Sequence, residues 1–254
     1  MKIITITKKG LLNIFACVLI GAITLIVATS SATQVIETAT TQRLIPIYYV
    51  DTDKKVCSIS FDAAWGNEQT NTLLDILDEH KVKTTFFLVG DWVEKFPSSV
   101  KEIDKRGHDI GNHSDTHAHM TQIESSQLTK EFEDCNEKIT ALTGKKVTLF
   151  RPPYGEYDNS VVQECNNKNM YCVQWNIDSL DWLDPSPQEM VNKIEQKLCP
   201  GSIILLHNGA KNTPEALPLI IEAIKAQGYE IVPISQIIPK GEYYTDVDGK
   251  MILK

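Results

Sequence analysis

A repeated alternation limits this chain more than any other feature: apolar, β-branched segments, each followed by a stretch with helical spacing. Strand candidates lie at 56–61, 84–89, 108–111, 149–151, 172–175, 202–207 and 230–233. The intervening segments 68–80, 98–105, 125–142, 160–168, 187–198 and 214–227 carry helix periodicity or start signals, Pro185-Ser186 among them. Strands joined through helices pair in parallel, so the expectation is an α/β sheet, either open or closed into a barrel. The tail 241–254 differs: its Asp248-Gly249 turn predicts a small hairpin.

Reactive side chains collect where these strands end. Asp62 follows SISF, His113 follows DIGN, Arg151 follows TLF, Asp178 and Asp181 follow VQWN, and His207 ends GSIILLH. In a β/α barrel those ends share one face, so residues far apart in sequence can meet in one cleft. Each cluster also has a plain structural reading. His113 and His117 stand four apart in HSDTH; on a helical turn both would reach one divalent metal, yet the same spacing occurs by chance on helix surfaces. His119 is either a third nitrogen ligand or a surface residue. Asp62, ending an apolar strand, needs a partner, for which Arg151 is the candidate. In RPPYG the prolines fix the backbone, and Tyr154-Gly155 can offer N–H groups to a developing oxyanion; a rigid turn with a structural arginine is the alternative. One of Asp178 and Asp181 caps a helix or serves His207, whose pKa rises if Asp181 reaches it. Otherwise His207 is a core histidine.

The ends of the chain carry different information. Lys2, Lys8 and Lys9 precede an apolar run at 11–28, and no acidic residue occurs before Glu37, the pattern of an export leader. Residues 1–32 are expected to be either a signal peptide cleaved after Ala32 or a retained membrane anchor, with a Thr-rich linker at 33–45 and one domain at 46–254. Without the three leader lysines, 22 basic residues face 33 acidic ones, a net charge of −11 that repels phosphate backbones and argues against nucleic acid. Cysteines 57, 135, 165, 172 and 199 show no zinc-type spacing. Cys57 and Cys172 read as small apolar strand residues, and pairing among the other three is left open.

In chain order, FDAAWG, HSDTH, RPPYG, DSLDW and LLH resemble the motifs of the polysaccharide deacetylase family, the NodB-homology domain of carbohydrate esterase family 4. The resemblance spans about 56–238, and FDAAWG is most similar to its sporulation-associated branch. It implies a distorted, incomplete (β/α) barrel that removes N-acetyl groups from a cell-wall glycan, most plausibly peptidoglycan, as a monomer outside the cytoplasm. It implies Asp62 as general base, Arg151 as the residue orienting it, His113 and His117 as ligands of zinc or cobalt, and the Tyr154 N–H as oxyanion donor. It also implies Trp182 and Leu205 as walls for the acetyl methyl, His207 as general acid, and Asp181 as the residue that tunes it.

One position departs from the pattern. Active members read TFDD, and the second aspartate, a metal ligand, is here Ala63. The site then supplies two imidazoles unless Asn67, Asp115 or His119 fills the gap. That departure keeps a rival in view, a glycan-binding module with a decayed metal site; a hydrolase of small amides is a third reading.

Overall fold

The computed structural model describes residues 7–10, 13, 15, 17–20 and 43–254. Most of the apolar run 11–28, and the linker as far as residue 42, lie outside the described residues. The chain divides into Met1–Arg43 and a folded body, Leu44–Lys254.

The body is organised by β2 (Val56–Ala63), which follows the short β1 (Tyr49–Val50). Every residue of β2 after Val56 is buried, as expected of a central parallel strand covered on both faces. Around it run α1 (Thr70–Glu79), β3 (Thr85–Leu88), α2 (Gly90–Lys95), α3 (Pro97–Lys105) and β4 (Asp109–Asn112). Then come α4 (Ser125–Thr143), β5 (Leu149–Phe150), α5 (Asn159–Asn167), β6 (Tyr171–Cys172) and β7 (Ile177–Asp178). The chain ends with α6 (Pro187–Lys197), β8 (Ser202–His207), α7 (Thr213–Ala226), β9 (Glu230–Ile231), α8 (Ile234–Ile237), β10 (Tyr243–Thr245) and β11 (Lys250–Leu253). Local chemistry explains several boundaries. Ser186 and Glu189 form a capping box on α6, Asp158 caps α5, and Gly144 ends α4 in the left-handed conformation.

Strands β8, β2, β3, β4, β5 and β6 lie side by side in parallel, with β7 added to β8 and β9 to β2. This is the curled, incomplete barrel that the motifs implied. The expected strand 172–175 is shorter than its apolar run suggests: pairing stops at Cys172 except for one bridge, from Val173 to Ile47. Ile47 donates to the Cys172 carbonyl and its own carbonyl accepts from Gln174, while Val50 donates to Gly201 at the foot of β8. Residues 47–50 thus stitch β6 toward β8 across the gap. The tail hairpin forms as expected, β10 against β11, with β11 parallel to β1.

Strand alternation sorts side chains into two cores. Cys57, Ile59, Phe61, Phe86, Leu88, Phe150, Ile204 and Leu206 face the surrounding helices. Phe87, Leu149, Val173 and Ile203 face inward with Ile47, Val50 and Met251. Asp62, Arg151, Leu205 and His207 fall in the inward register, toward the C-terminal ends of their strands. All five described thiols of the body are free, so no disulfide supports it.

Gly201 is the tight point of the closure. Its φ is 77°, and a Cβ there would sit 1.9 Å from the Val50 carbonyl oxygen. Gly201→Ala should therefore cost about 3 kcal/mol, from backbone strain plus overlap. Thermal unfolding checks this; an unchanged midpoint would mean that 47–50 contributes nothing to closing the barrel.

Candidate active site

The strand ends do converge. Asp62, the penultimate residue of β2, is 5% exposed, and Arg151, just past β5, is fully buried. The guanidinium Nη1 donates to Asp62 Oδ1 at 2.7 Å, and Nη2 donates to the Gln174 carbonyl at 3.0 Å. Its plane lies 4.1 Å over the Phe87 ring. Burial alone would raise the Asp62 pKa, but Arg151, His113 and His207 outweigh it and hold the carboxyl below its ordinary value.

His113 follows β4 and is buried. Its Nδ1 lies 2.7 Å from the Arg151 carbonyl oxygen, which can only accept, so Nδ1 carries the proton. Nε2 is then the nitrogen with the lone pair, 3.5 Å from Asp62 Oδ2. The His117 ring packs edge-on at 5.0 Å between centroids. Burial lowers the pKa of both rings, that of His117 to about 4, so both are neutral at pH 7.

HSDTH is not a helical turn, the geometry in which its four-residue spacing would put both imidazoles on one side. Ser114 (φ 65°) and His117 (φ 59°) are left-handed, and the segment is a loop. A residue not foreseen holds it there. Glu131 of α4, 1% exposed, accepts the N–H groups of Asp115 and Thr116 at 2.9 and 2.8 Å through Oε2. Its Oε1 accepts from the Thr116 hydroxyl at 2.8 Å. The signal was present in the sequence: Glu131 lies on the stripe Leu128, Phe132, Cys135 and Ile139, where a solvated carboxylate does not belong.

On the opposite wall, β8 delivers His207. Asp181, fully buried, takes His207 Nδ1 on Oδ1 at 2.7 Å and the His207 backbone N–H on Oδ2 at 2.7 Å. The Thr213 hydroxyl donates to the same Oδ2 at 2.7 Å. Burial would lower the His207 pKa, but Asp181, with Asp62 and Asp178, raises it above its ordinary value. Asp178 turns instead to the Leu180 N–H, at 2.8 Å.

Between the walls is a cleft of about 520 Å³, lined by Asp62, His113, His117, Asp178, Leu205, His207 and the aromatic groups Trp65, Tyr154, Trp175 and Trp182. Tyr154 is left-handed (φ 59°), stacks on His119 at 4.2 Å and meets His117 edge-on at 4.5 Å. Every residue expected at the site thus borders the cleft or is bonded to one that does.

The metal expectation fares differently. Asp115 pairs with Lys138 at 2.8 Å, His119 with Glu156 at 2.9 Å, and Asn67 with Ser99 at 3.2 Å; none of the three lines the cleft. Among the described residues no three His, Cys, Asp or Glu side chains form a group able to hold a metal. Ala63 is fully buried in the outer core. The two imidazoles fit the nitrogen half of a divalent site, but the donor set as a whole does not fit a complete one.

The sequence model described as polysaccharide deacetylase matches residues 49–173. A peptidoglycan-N-acetylglucosamine deacetylase of Bacillus cereus is 33% identical over 186 residues, covering 72% of this chain and 68% of the relative. The uncharacterised protein YlxY of Bacillus subtilis is 35% identical over 193 residues, 76% of this chain but only 60% of that longer protein. Among solved structures, a carbohydrate esterase family 4 pseudoenzyme from Bacillus anthracis superimposes with a TM-score of 0.73 at 34% identity, over 82% of this chain and 70% of that one. A mutant of that pseudoenzyme with restored enzymatic activity gives a TM-score of 0.73 at 35% identity, covering 82% and 72%.

The Asp181–His207 couple has a testable sign. Because the folded His207 pKa is raised, its contribution to stability is fully present below about 6.5, the unfolded value, and fades as pH rises through the folded value. Asp181→Asn removes the principal raising partner and leaves burial opposed only by Asp62 and Asp178, so the imidazole midpoint should fall. The variant should also lose more stability at pH 5.5 than at pH 9. NMR titration and thermal unfolding at the two pH values read these effects; an unmoved midpoint would refute the coupling.

Proposed function

Because the chain belongs to the polysaccharide deacetylase family, we propose that its cleft hydrolyses N-acetyl groups of a cell-wall glycan, peptidoglycan being the substrate class favoured by its B. cereus relative. One observation carries the proposal: an ionised carboxylate and a protonation-prone imidazole line the same cleft, each with its own partner. That is the pairing amide hydrolysis requires, since the attacking water must lose a proton and the departing nitrogen must gain one.

In this reading Asp62, held by Arg151, takes the proton from water as the C–O bond forms. The Tyr154 N–H donates to the carbonyl oxygen as it becomes an oxyanion. His207, charged with Asp181's help, gives its proton to the amide nitrogen as the C–N bond breaks, releasing acetate and a free amine. Trp182 and Leu205 wall the acetyl methyl, and the exposed aromatic rim receives the sugar. The resemblance implies a divalent metal that would polarise the carbonyl and acidify the water. His113 and His117 would be its nitrogen ligands, and the donor set here lacks the third. The same proposal has the protein acting outside the cytoplasm, on the strength of its lysine-flanked leader, and working as a monomer. A spore-wall role rests on FDAAWG alone. Fractionation checks the location: a full-length chain in the soluble cytoplasm refutes it, and a membrane-bound or shortened secreted one supports it.

The acid and base are tested together. Asp62→Asn and His207→Ala should each lower acetate release from peptidoglycan and chitin oligomers by about 10²- to 10⁴-fold while the fold is kept. Near wild-type release by either would remove that residue from the scheme.

Ala63 and the pseudoenzyme likeness favour a second reading, a member that binds glycan without cleaving it. Ala63 pairs with Leu88 across the sheet, and the His113 N–H bonds the Leu88 carbonyl at 2.9 Å, so positions 63 and 113 flank one residue of β3. A carboxylate at 63 is costly in the outer core unless it turns toward a cation held by the histidines. Ala63→Asp should therefore tighten zinc binding at least about tenfold, in a manner dependent on both His113 and His117. Calorimetry decides: equal affinities would mean that the two histidines are not half of a metal site.

A further inference from the structure

We propose that Trp65 is a positioning residue for His207, its indole covering one face of the imidazole, and that Gly209 is the clearance that admits it. The inference rests on His207 being the proton donor of the scheme above. The two rings stack with centroids 5.5 Å apart and planes inclined by 26°. The Cβ tether and the Asp181 bond at Nδ1 set the ring's in-plane direction, and a flat partner on one face limits its tilting out of that plane.

Core packing does not account for this tryptophan, since Trp65 is 49% exposed. The backbone around it holds it where it is. Trp92 Nε1 donates to the Gly66 carbonyl at 2.6 Å, and Asn208 Nδ2 reaches the same oxygen at 3.3 Å. The Asn208 N–H also donates to the Asp62 carbonyl at 3.1 Å. The loop after β2 and the turn after β8 are therefore knitted together on either side of the stack. At Gly209 a Cβ would fall 2.8 Å from the indole Nε1 and 2.9 Å from the Trp65 carbonyl oxygen. An indole over an imidazolium is also attracted to its charge, which favours the protonated ring.

The other groups facing His207 are Asp181, Asp62 and Asp178, with the imidazoles of His113 and His117. They remain in place in every variant used, so a change reports on Trp65. Trp65→Ala, Trp65→Phe and Gly209→Ala are compared with wild type by NMR of the His207 imidazole, with buried His108 as the reporter of an intact fold. In wild type the His207 ring protons should carry an upfield ring-current shift. Trp65→Ala should abolish it and lower the titration midpoint by about half a pH unit. Gly209→Ala should act likewise by displacing the indole, and Trp65→Phe should retain most of both effects. On chitin oligomers, kcat should fall roughly ten- to hundredfold in Trp65→Ala, more than KM rises. Unchanged His207 shifts and midpoint in Trp65→Ala overturn the proposal whatever Gly209→Ala does. Absence of acetate release from wild type would sink the deacetylase reading and leave the imidazole measurement to decide the role of Trp65.

Discussion

A guanidinium with no access to water sits at the centre of this molecule, and the geometry around it follows from the need to satisfy it. Arg151 reaches β2 through Asp62 and the end of β6 through the Gln174 carbonyl, and its own carbonyl fixes the tautomer of His113. Phe87 covers its face. Burying an ion pair this deeply gains little stability over an apolar filling, and breaking it by removing one partner is expensive. What the arrangement does secure is orientation: one side chain sets the direction of the carboxylate and the protonation pattern of the nearest imidazole together.

The two walls of the cleft solve opposite electrostatic problems with the same device. Burial pushes each group toward its neutral form, and a dedicated partner reverses the push, Arg151 for Asp62 and Asp181 for His207. For histidines 113 and 117 burial outweighs the pull of the Asp62 carboxylate and they stay neutral, which leaves lone pairs rather than charges on that side. In the proposed reading the acid and the base are both retained, while a metal site would be short of the side chain that Ala63 lacks.

Much of this was legible in the sequence, and the limits have physical causes. The strand–helix alternation reports the parallel sheet because each strand must bury both faces, and the reactive residues stand at strand ends because only there does an inward-facing polar group meet solvent. The i,i+4 spacing in HSDTH suggested how two imidazoles could share one side, but spacing carries no information about the sign of φ, and the segment is a loop. Ser114 and His117 are left-handed through a carboxylate donated from a helix sixteen residues away, a non-local cause. The stitching segment 47–50 was equally opaque: its bonds are to the backbone of β6 and β8, and backbone partners leave no mark on composition. Trp65 was visible within FDAAWG, but its neighbour in space, Gly209, is 144 positions away and carries no side chain to announce it.

The pairing of β1 with β11 and β8, and of β2 with β8 and β9, has a kinetic side. The first strands to be synthesised have their partners among the last, so the earliest-made part of the barrel waits on nearly the whole chain. Loops of this length must be closed before the central strand is covered, which slows folding. During that interval β2, with Cys57, Ile59 and Phe61 on one face, has an unpaired edge. A chain emerging from its N-terminus is therefore committed to a vulnerable wait, and whatever machinery handles it must keep the central strand from other edges until β8 arrives.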